Sequence, residues 1–216
     1  MSEAAPGVPD SPSFATPERA ELAEALRELI DAVMVTEEVS GDELLAVATD
    51  VRRLAFRLAG ENTRTEKPGY TPRNHSDYLP RSPIVGEASP LSPRIDWEAV
   101  DDHVEAHGTF SAAYEGPPSF VHGGIIALAF DEMLGIANIH AGHPGMTGTL
   151  KIRYRRPTPL YREVHFKAWV DRVEGRRIIS KGELAVAGEL CAEAEGVFVQ
   201  PRPELAEQYF GPRTDQ

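Results

Sequence analysis

A run of apolar residues from Ile125 to Ala137, entered through two consecutive glycines, constrains the fold of this chain more than any other stretch. Almost every side chain in the run is apolar, which in a globular protein predicts a helix surrounded by core on most sides. Asp131 and Glu132 interrupt it. Because a carboxylate inside an apolar helix is costly to bury unless it is paired or used, these two residues are the first candidates for chemistry.

The two glycines, Gly123 and Gly124, indicate a second functional feature at the start of this helix. The first N–H groups of a helix have no partner within it, and glycine lets a carbonyl oxygen or an oxyanion approach them closely. Gly124 and Asp131 share a helix face, but seven residues separate them by roughly 10 Å along the axis. One small carbonyl cannot contact both groups, so the spacing favours a two-fold dimer in which each subunit supplies one of them.

The neighbouring residues compete for these roles. Successive residues on a helix point about 100° apart, so only one of Asp131 and Glu132 can face a site, and the phase shared with Gly124 favours Asp131. On the pattern alone, a catalytic and a structural Asp131 are equally open. His122 precedes the helix, and we expect it to orient the loop or to supply a donor rather than to act as a general base.

The rest of the chain is predicted to form an N-terminal helical unit and an antiparallel sheet. Helices are expected at about 17–36 and 42–59, with Thr16 capping the first and Gly60 stopping the second. They are predicted to pair as a hairpin that docks its apolar stripes elsewhere. Alternating patterns predict strands at about 102–114, 147–156, 162–174, 176–187 and 189–200. The predicted divisions are a disordered tail (1–16), the helical hairpin (17–60), an irregular connector (61–95), the main domain (96–203) and a C-terminal tail (204–216).

Charge and cysteine content limit the partners and the compartment. A formal charge of −12 disfavours a nucleic-acid partner, because such binding neutralises phosphates with clustered Lys and Arg. The cluster of Arg153, Arg155 and Arg156 is equally consistent with binding the phosphates of a small substrate and with a solvated strand edge. The single cysteine, Cys191, fits a reducing compartment, and the absence of an apolar run of membrane length adds to the expectation of a cytoplasmic protein.

We predict no metal site. His140 and His143 follow the apolar helix, but their spacing falls across a helix end and a glycine turn, and the sequence places no third ligand beside them.

The motif His122–Gly124, followed after six residues by Asp131 on a buried helix, resembles the hotdog-fold acyl-CoA thioesterases of the phenylacetic-acid-degradation type. The segment Met146–Leu160 looks particularly like the carboxyl-terminal modulator protein-like branch of that superfamily, and the similarity continues through Asp171–Arg176. The resemblance covers roughly residues 95–200.

The resemblance implies an α+β hotdog fold, a curved antiparallel sheet wrapped around a long central helix, here with an N-terminal helical hairpin added. It implies a homodimer, with pairing of dimers left open, that hydrolyses acyl-CoA to a free acid and coenzyme A in lipid metabolism. No metal or bound cofactor is expected, since the coenzyme A moiety is part of the substrate. The implied catalytic residues are Asp131 as base or nucleophile, Gly123, Gly124 and His122 at the carbonyl, and Thr147 holding the water or carboxylate. The expected substrate-binding residues are Arg153, Arg155 and Arg156.

Two other functions stay open. A non-catalytic acyl-ligand-binding or regulatory hotdog protein would keep the fold and the pocket, although the presence of Asp131 argues against it. A hotdog enoyl-CoA hydratase would need an Asp followed closely by a His on one loop. Here His122 precedes Asp131, and the next histidine, His140, lies two turns further along the helix.

Overall fold

The computed structural model of this chain describes residues 16–59 and 79–202. The predicted N-terminal tail up to residue 15, the stop at Gly60, the connector as far as residue 78 and the C-terminal tail lie outside these ranges. No helix within them is both long enough and apolar enough to cross a membrane. The elements are α1 (Pro17–Val35), α2 (Gly41–Ala59), β1 (Asp96–Val100), β2 (His103–Thr109), α3 (Gly123–His140), β3 (Met146–Tyr154), β4 (Glu163–Glu174), β5 (Arg177–Val186) and β6 (Glu189–Val199).

The six strands form one antiparallel sheet in the order β1-β2-β4-β5-β6-β3. Helix α3 packs against β2, β3, β4, β5 and β6, so it forms the centre of the domain. The predicted α+β hotdog arrangement of a sheet around one buried helix is therefore confirmed. Within the described chain, β1 and β3 are the two edges of the sheet.

The core lies between α3 and the sheet. The Phe130 ring on the helix meets the Phe166 ring on β4 edge to face, with centroids 5.5 Å apart. Burying each such aromatic stabilises the fold by roughly 1.5–3 kcal/mol. Helix and sheet approach closely because Gly196 has no side chain, since a Cβ there would lie 3.0 Å from Leu134 of the helix.

The N-terminal helices differ in how they pack. Helix α1 begins at the predicted cap, where the Thr16 hydroxyl accepts from the backbone N–H of Arg19. It docks on the main domain through Ala23, which is buried, and through Asp31, which accepts a 2.6 Å hydrogen bond from the Ser111 hydroxyl.

Over residues 41–58 helix α2 is exposed, and within this range only Ala48 is partly covered. The predicted burial of its apolar stripe is not found among the described residues. Helices α1 and α2 are not in extended contact with each other, so α1 does not cover this stripe. The exposed large apolar side chains of α2 are Leu44, Leu45, Val47, Val51, Leu54, Phe56 and Leu58.

Two strand predictions were incomplete. Strand β1 was not predicted, because its five residues are exposed or half-buried and carry no alternation. The predicted strand over 102–114 ends at Thr109, and Ala112–Tyr114 instead form a 3-10 turn. Phe110 and Ala112 are both buried, so the apolar spacing continues after the strand itself has ended.

Candidate active site

The start of α3 is closed by a histidine cap. His122 has extended backbone angles (φ −62°, ψ 132°), and its side chain accepts a hydrogen bond from the N–H of Gly124. The distance from that nitrogen to Nδ1 is 2.9 Å. Because Nδ1 accepts, the proton of the neutral imidazole lies on Nε2, which is a donor. The ring is exposed, so this donor faces outward from the start of the helix.

This cap changes which groups can polarise a carbonyl. The N–H of Gly124 is engaged by His122, so it becomes a donor to a ligand only if that bond opens. Gly123 is the first residue of the helix, and its N–H has no intrahelical acceptor. The donors that the single chain presents here are therefore the N–H of Gly123 and the Nε2–H of His122.

Tyr154, at the end of β3, supports this loop and was not predicted as a site residue. Its hydroxyl donates a 2.7 Å hydrogen bond to the carbonyl of Gly123. Its ring covers the glycine, since a Cβ at Gly123 would lie 3.4 Å from the ring. Burial raises the pKa of Tyr154 above its usual value, so the phenol keeps its proton at neutral pH. The alternation of Ile152 and Tyr154 along β3 was the available signal, because it places both on the helix side of the sheet.

The loop before the helix is held by backbone contacts as well. The N–H of His122 donates to the carbonyl of Tyr114 at 2.9 Å, and the N–H of Val121 donates to the carbonyl of Thr158 at 2.8 Å. Gly116 is required by close approach, because a Cβ there would lie 2.7 Å from the Cα of His122. These contacts fix the position of the helix N-terminus relative to the sheet.

Asp131 and Thr147, both predicted as site residues, are in direct contact. The Thr147 hydroxyl donates to Oδ1 of Asp131 at 2.7 Å. Asp131 is only partly buried, and Thr147 is exposed at the open edge of the sheet. The second carboxylate oxygen of Asp131 is thus available to a water molecule or a substrate at that edge.

A β-bulge aims Thr147 at the helix. Thr147 pairs with Phe198 and Thr149 with Val197, so Gly148 is an extra residue in β3. Side chains alternate along a strand, and Thr147 would otherwise share the outer face with Thr149 and Lys151. The bulge reverses this phase for the residues before it.

Glu132, the competing carboxylate, points elsewhere. It is 7% exposed and lies among the core side chains of α3, whereas Asp131 lies on the open side of the helix. The two side chains point in different directions, as predicted, because successive residues on a helix are rotated by about 100°.

The three arginines predicted to bind phosphates do not form one open basic patch. Arg155 pairs with Glu193, whose Oε2 lies 2.6 Å from its Nε, and Arg156 pairs with Glu189. Arg153 lies on the outer face of the sheet, where it lines a shallow depression with Trp169. That face is opposite to the one that carries Tyr154 and packs against the helix of Asp131.

Known proteins resemble this chain in architecture and in sequence. The family model described as the thioesterase superfamily matches residues 119–191. A solved thioesterase superfamily protein is 31% identical with a TM-score of 0.75, over 88% of this chain and 94% of that chain. Acyl-coenzyme A thioesterase THEM4 of Mus musculus is 35% identical over 92 residues, 42% of this chain and 40% of the relative. The same enzyme of Xenopus laevis is 32% identical over 91 residues, 41% of each chain. The chain thus spans about two fifths of the length of these curated relatives. Since the solved relative is matched over nearly its whole length, this chain belongs to the thioesterase superfamily.

Proposed function

We propose that this protein is an acyl-CoA thioesterase, which hydrolyses the thioester to a free acid and coenzyme A. The observation that carries the proposal is the Asp131–Thr147 pair, a partly open carboxylate on the central helix that a hydroxyl at 2.7 Å orients. The names of the curated relatives support the same reaction.

The proposed chemistry needs one base or nucleophile and a set of carbonyl donors. Asp131 either removes a proton from the attacking water or attacks the thioester carbon itself. The N–H of Gly123 and the Nε2–H of His122 stabilise the negative charge that develops on the carbonyl oxygen, with Gly124 as a further donor when its bond to His122 opens. Collapse of the tetrahedral intermediate breaks the carbon–sulfur bond and releases the coenzyme A thiolate. When Asp131 acts as base, the intermediate already contains the water oxygen, so the acid forms directly and the thiolate takes up the proton that the water gave to Asp131. When Asp131 attacks directly, an acyl–Asp131 anhydride remains, and water then hydrolyses it to the free acid and the Asp131 carboxylate, while the thiolate takes up a proton from that water.

A homodimer is part of the proposal. The donors at the start of α3 and Asp131 are roughly 10 Å apart along one helix, so one carbonyl reaches both only if they come from different subunits. Strand β3 offers the surface, because it is a sheet edge with exposed side chains at Met146 and Tyr154. An exposed edge strand is a ready template for pairing with a second copy. Pairing of such dimers into a tetramer remains a separate prediction.

The remaining parts of the proposal concern the surroundings of the reaction. The scheme uses no metal or bound cofactor, since coenzyme A enters as part of the substrate. A single buried thiol, Cys191, suits the reducing cytoplasm, and the reaction fits turnover of acyl groups in lipid metabolism. Arg153 and the paired Arg155 and Arg156 are weaker candidates for the coenzyme phosphates, because the structure directs them away from Asp131 or into ion pairs.

Release of free coenzyme A thiol from short, long and aromatic acyl-CoA substrates tests the proposal. Asp131→Asn should lower kcat by at least about 100-fold, the usual contribution of a general base, while the protein stays folded. Glu132→Gln is the matched control, since the same carboxylate-to-amide change falls on the residue that lies in the core. Activity lost in Glu132→Gln and kept in Asp131→Asn would move the role to Glu132. No turnover by the wild type, together with tight acyl-CoA binding, would favour a non-catalytic binding protein.

A further inference from the structure

One narrow strip of α3 is open to solvent in the single chain. Leu128 is 38% exposed and Ile139 is 49% exposed, although the opposite side of the helix is fully buried. Asp131 and Gly135 lie between them and are partly exposed. At about 100° per residue, all four residues fall within one quarter of the helix circumference. The candidate carboxylate is thus set on the open strip of the helix, between two apolar side chains that stay exposed.

No described residue of the chain requires a glycine at position 135. A Cβ at this position would meet nothing within 4 Å, so no neighbouring side chain or backbone requires the glycine. Glycine inside a helix lowers stability relative to alanine. Gly182 and Gly196, in contrast, let the sheet approach the helix, because a Cβ at either one would crowd core side chains. Nothing in the part of the chain that the structure describes fills the space beside Gly135, so this space can hold a bound group.

The position of Gly135 indicates which part of a bound substrate would occupy the space beside it. It follows Asp131 by four residues, about 6 Å along the helix and on the same face. A thioester carbon placed for attack at Asp131 lies about 3–3.5 Å from the attacking atom, so its acyl group must pass over an adjacent turn. The C-terminal end of a helix carries partial negative charge and disfavours the phosphates of the coenzyme. The apolar acyl group then extends toward Gly135 and Ile139, and the coenzyme extends the other way.

We infer that Gly135 keeps open the acyl part of the site, so that side-chain size at this position limits the hydrocarbon group that the protein accepts. This inference rests on the proposed thioesterase function and makes Gly135 a specificity-determining residue. The competing explanation is that Gly135 allows close contact with a helix of a second subunit.

The test compares wild type, Gly135→Ala and Gly135→Phe on acetyl-CoA, octanoyl-CoA and dodecanoyl-CoA. The matched control is Gly41→Phe, because Gly41 is also a helical glycine with nothing within 4 Å of a Cβ and lies on α2. We expect Gly135→Phe to lower kcat/KM by at least about 10-fold for the two longer substrates, with the acetyl-CoA value within about threefold of wild type. For the longer substrates, the kcat/KM of Gly135→Ala should lie between the values of wild type and Gly135→Phe. Gly41→Phe should leave the kcat/KM values for all three substrates unchanged.

Sedimentation velocity and circular dichroism on each variant separate the explanations. Equal loss on all three substrates with conversion to monomers would overturn the inference in favour of subunit packing, and an unchanged profile in Gly135→Phe would overturn it outright. If the wild type hydrolyses no substrate, the proposed function fails, and binding of non-hydrolysable thioether analogues decides the inference by itself. The inference is supported if Gly135→Phe binds the longer analogues more weakly than wild type does and binds the acetyl analogue equally well. It is overturned if Gly135→Phe and wild type bind all the analogues equally well.

Discussion

The contact between the Thr147 hydroxyl and Asp131 is the smallest unit of the proposed chemistry. A carboxylate that must activate water or attack a carbonyl needs a defined orientation, and here one of its oxygens is held at 2.7 Å by the hydroxyl. Hydrogen bonds to charged groups contribute roughly 1.5–3 kcal/mol, more than those between neutral groups. Thr147 therefore belongs to the same functional unit as Asp131.

Replacing Thr147 by valine keeps the shape of the side chain and removes the hydroxyl. We expect kcat to fall by at least about 10-fold, because the carboxylate loses its donor, with a small change in KM. Steady-state kinetics of acyl-CoA hydrolysis measure both constants. Thr147→Ser is the matched control, since it restores the donor, and it should recover most of the activity. Activity kept in the valine variant and lost in the serine variant would assign the effect to the threonine methyl group rather than to its hydroxyl.

At the scale of elements, strand β3 forms an edge of the sheet and also contacts helix α3 at both of its ends. Its C-terminal end carries Tyr154, which holds the start of α3 through the carbonyl of Gly123, and its N-terminal end carries Thr147, which meets Asp131. Both contacts come from one strand, yet they require opposite phases of alternation. The bulge at Gly148 reconciles them, and it places both ends of the strand in contact with the same helix.

Deletion of Gly148 tests this role of the bulge. The deletion makes Thr147 the direct neighbour of Thr149, and a regular ladder then places Thr147 opposite Phe198 on the helix side, as the bulge does. We therefore expect the deletion variant to keep most of its activity, while circular dichroism shows a folded sheet because the loop before β3 absorbs the shift. Gly148→Ala is the comparison that keeps the residue count, although its Cβ would lie a tight 3.3 Å from the carbonyl of Val197. Activity that falls to the level of Thr147→Val in a folded deletion variant would show that the bulge orients Thr147 by more than the phase of alternation.

The whole molecule proposed for catalysis contains two chains and two equal sites. Each site would combine the start of α3 from one subunit with Asp131 from the other. Gly123→Pro removes the N–H of Gly123 with little strain, since proline suits the first helical position and the angles of His122 suit a residue before proline. Gly123→Ala, which keeps the N–H, is the matched control.

Mixing two inactive variants provides the prediction at this scale. Asp131→Asn and Gly123→Pro should each be nearly inactive alone. Random exchange of their subunits makes half of the dimers mixed, and one of the two sites in each mixed dimer has both groups intact. We therefore expect recovery of about one quarter of the wild-type activity after co-refolding, measured as coenzyme A release. Recovery close to zero, with mixed dimers detected by mass spectrometry, would place each site within a single chain.

Local periodicity in the sequence predicted the helices, most of the strands and one side of the candidate site. The apolar run of α3 predicts its burial, and its phase directs Asp131 outward and Glu132 into the core, because a helix repeats every 3.6 residues whatever it packs against. Alternation predicts five of the six strands in the same way, although the first of the five ends earlier than predicted. The proposed function came first from the resemblance of the motif around His122 to a known family, and not from periodicity.

The tertiary structure alone decided the contacts between distant residues. Register placed the bulge at Gly148, cross-strand pairing turned Arg155 toward Glu193, and α2 stays exposed although α1 docks on the main domain. None of these leaves a periodic signal, since each depends on which residue of another element lies opposite. A sequence records which face of an element is apolar, and the fold determines what that face meets.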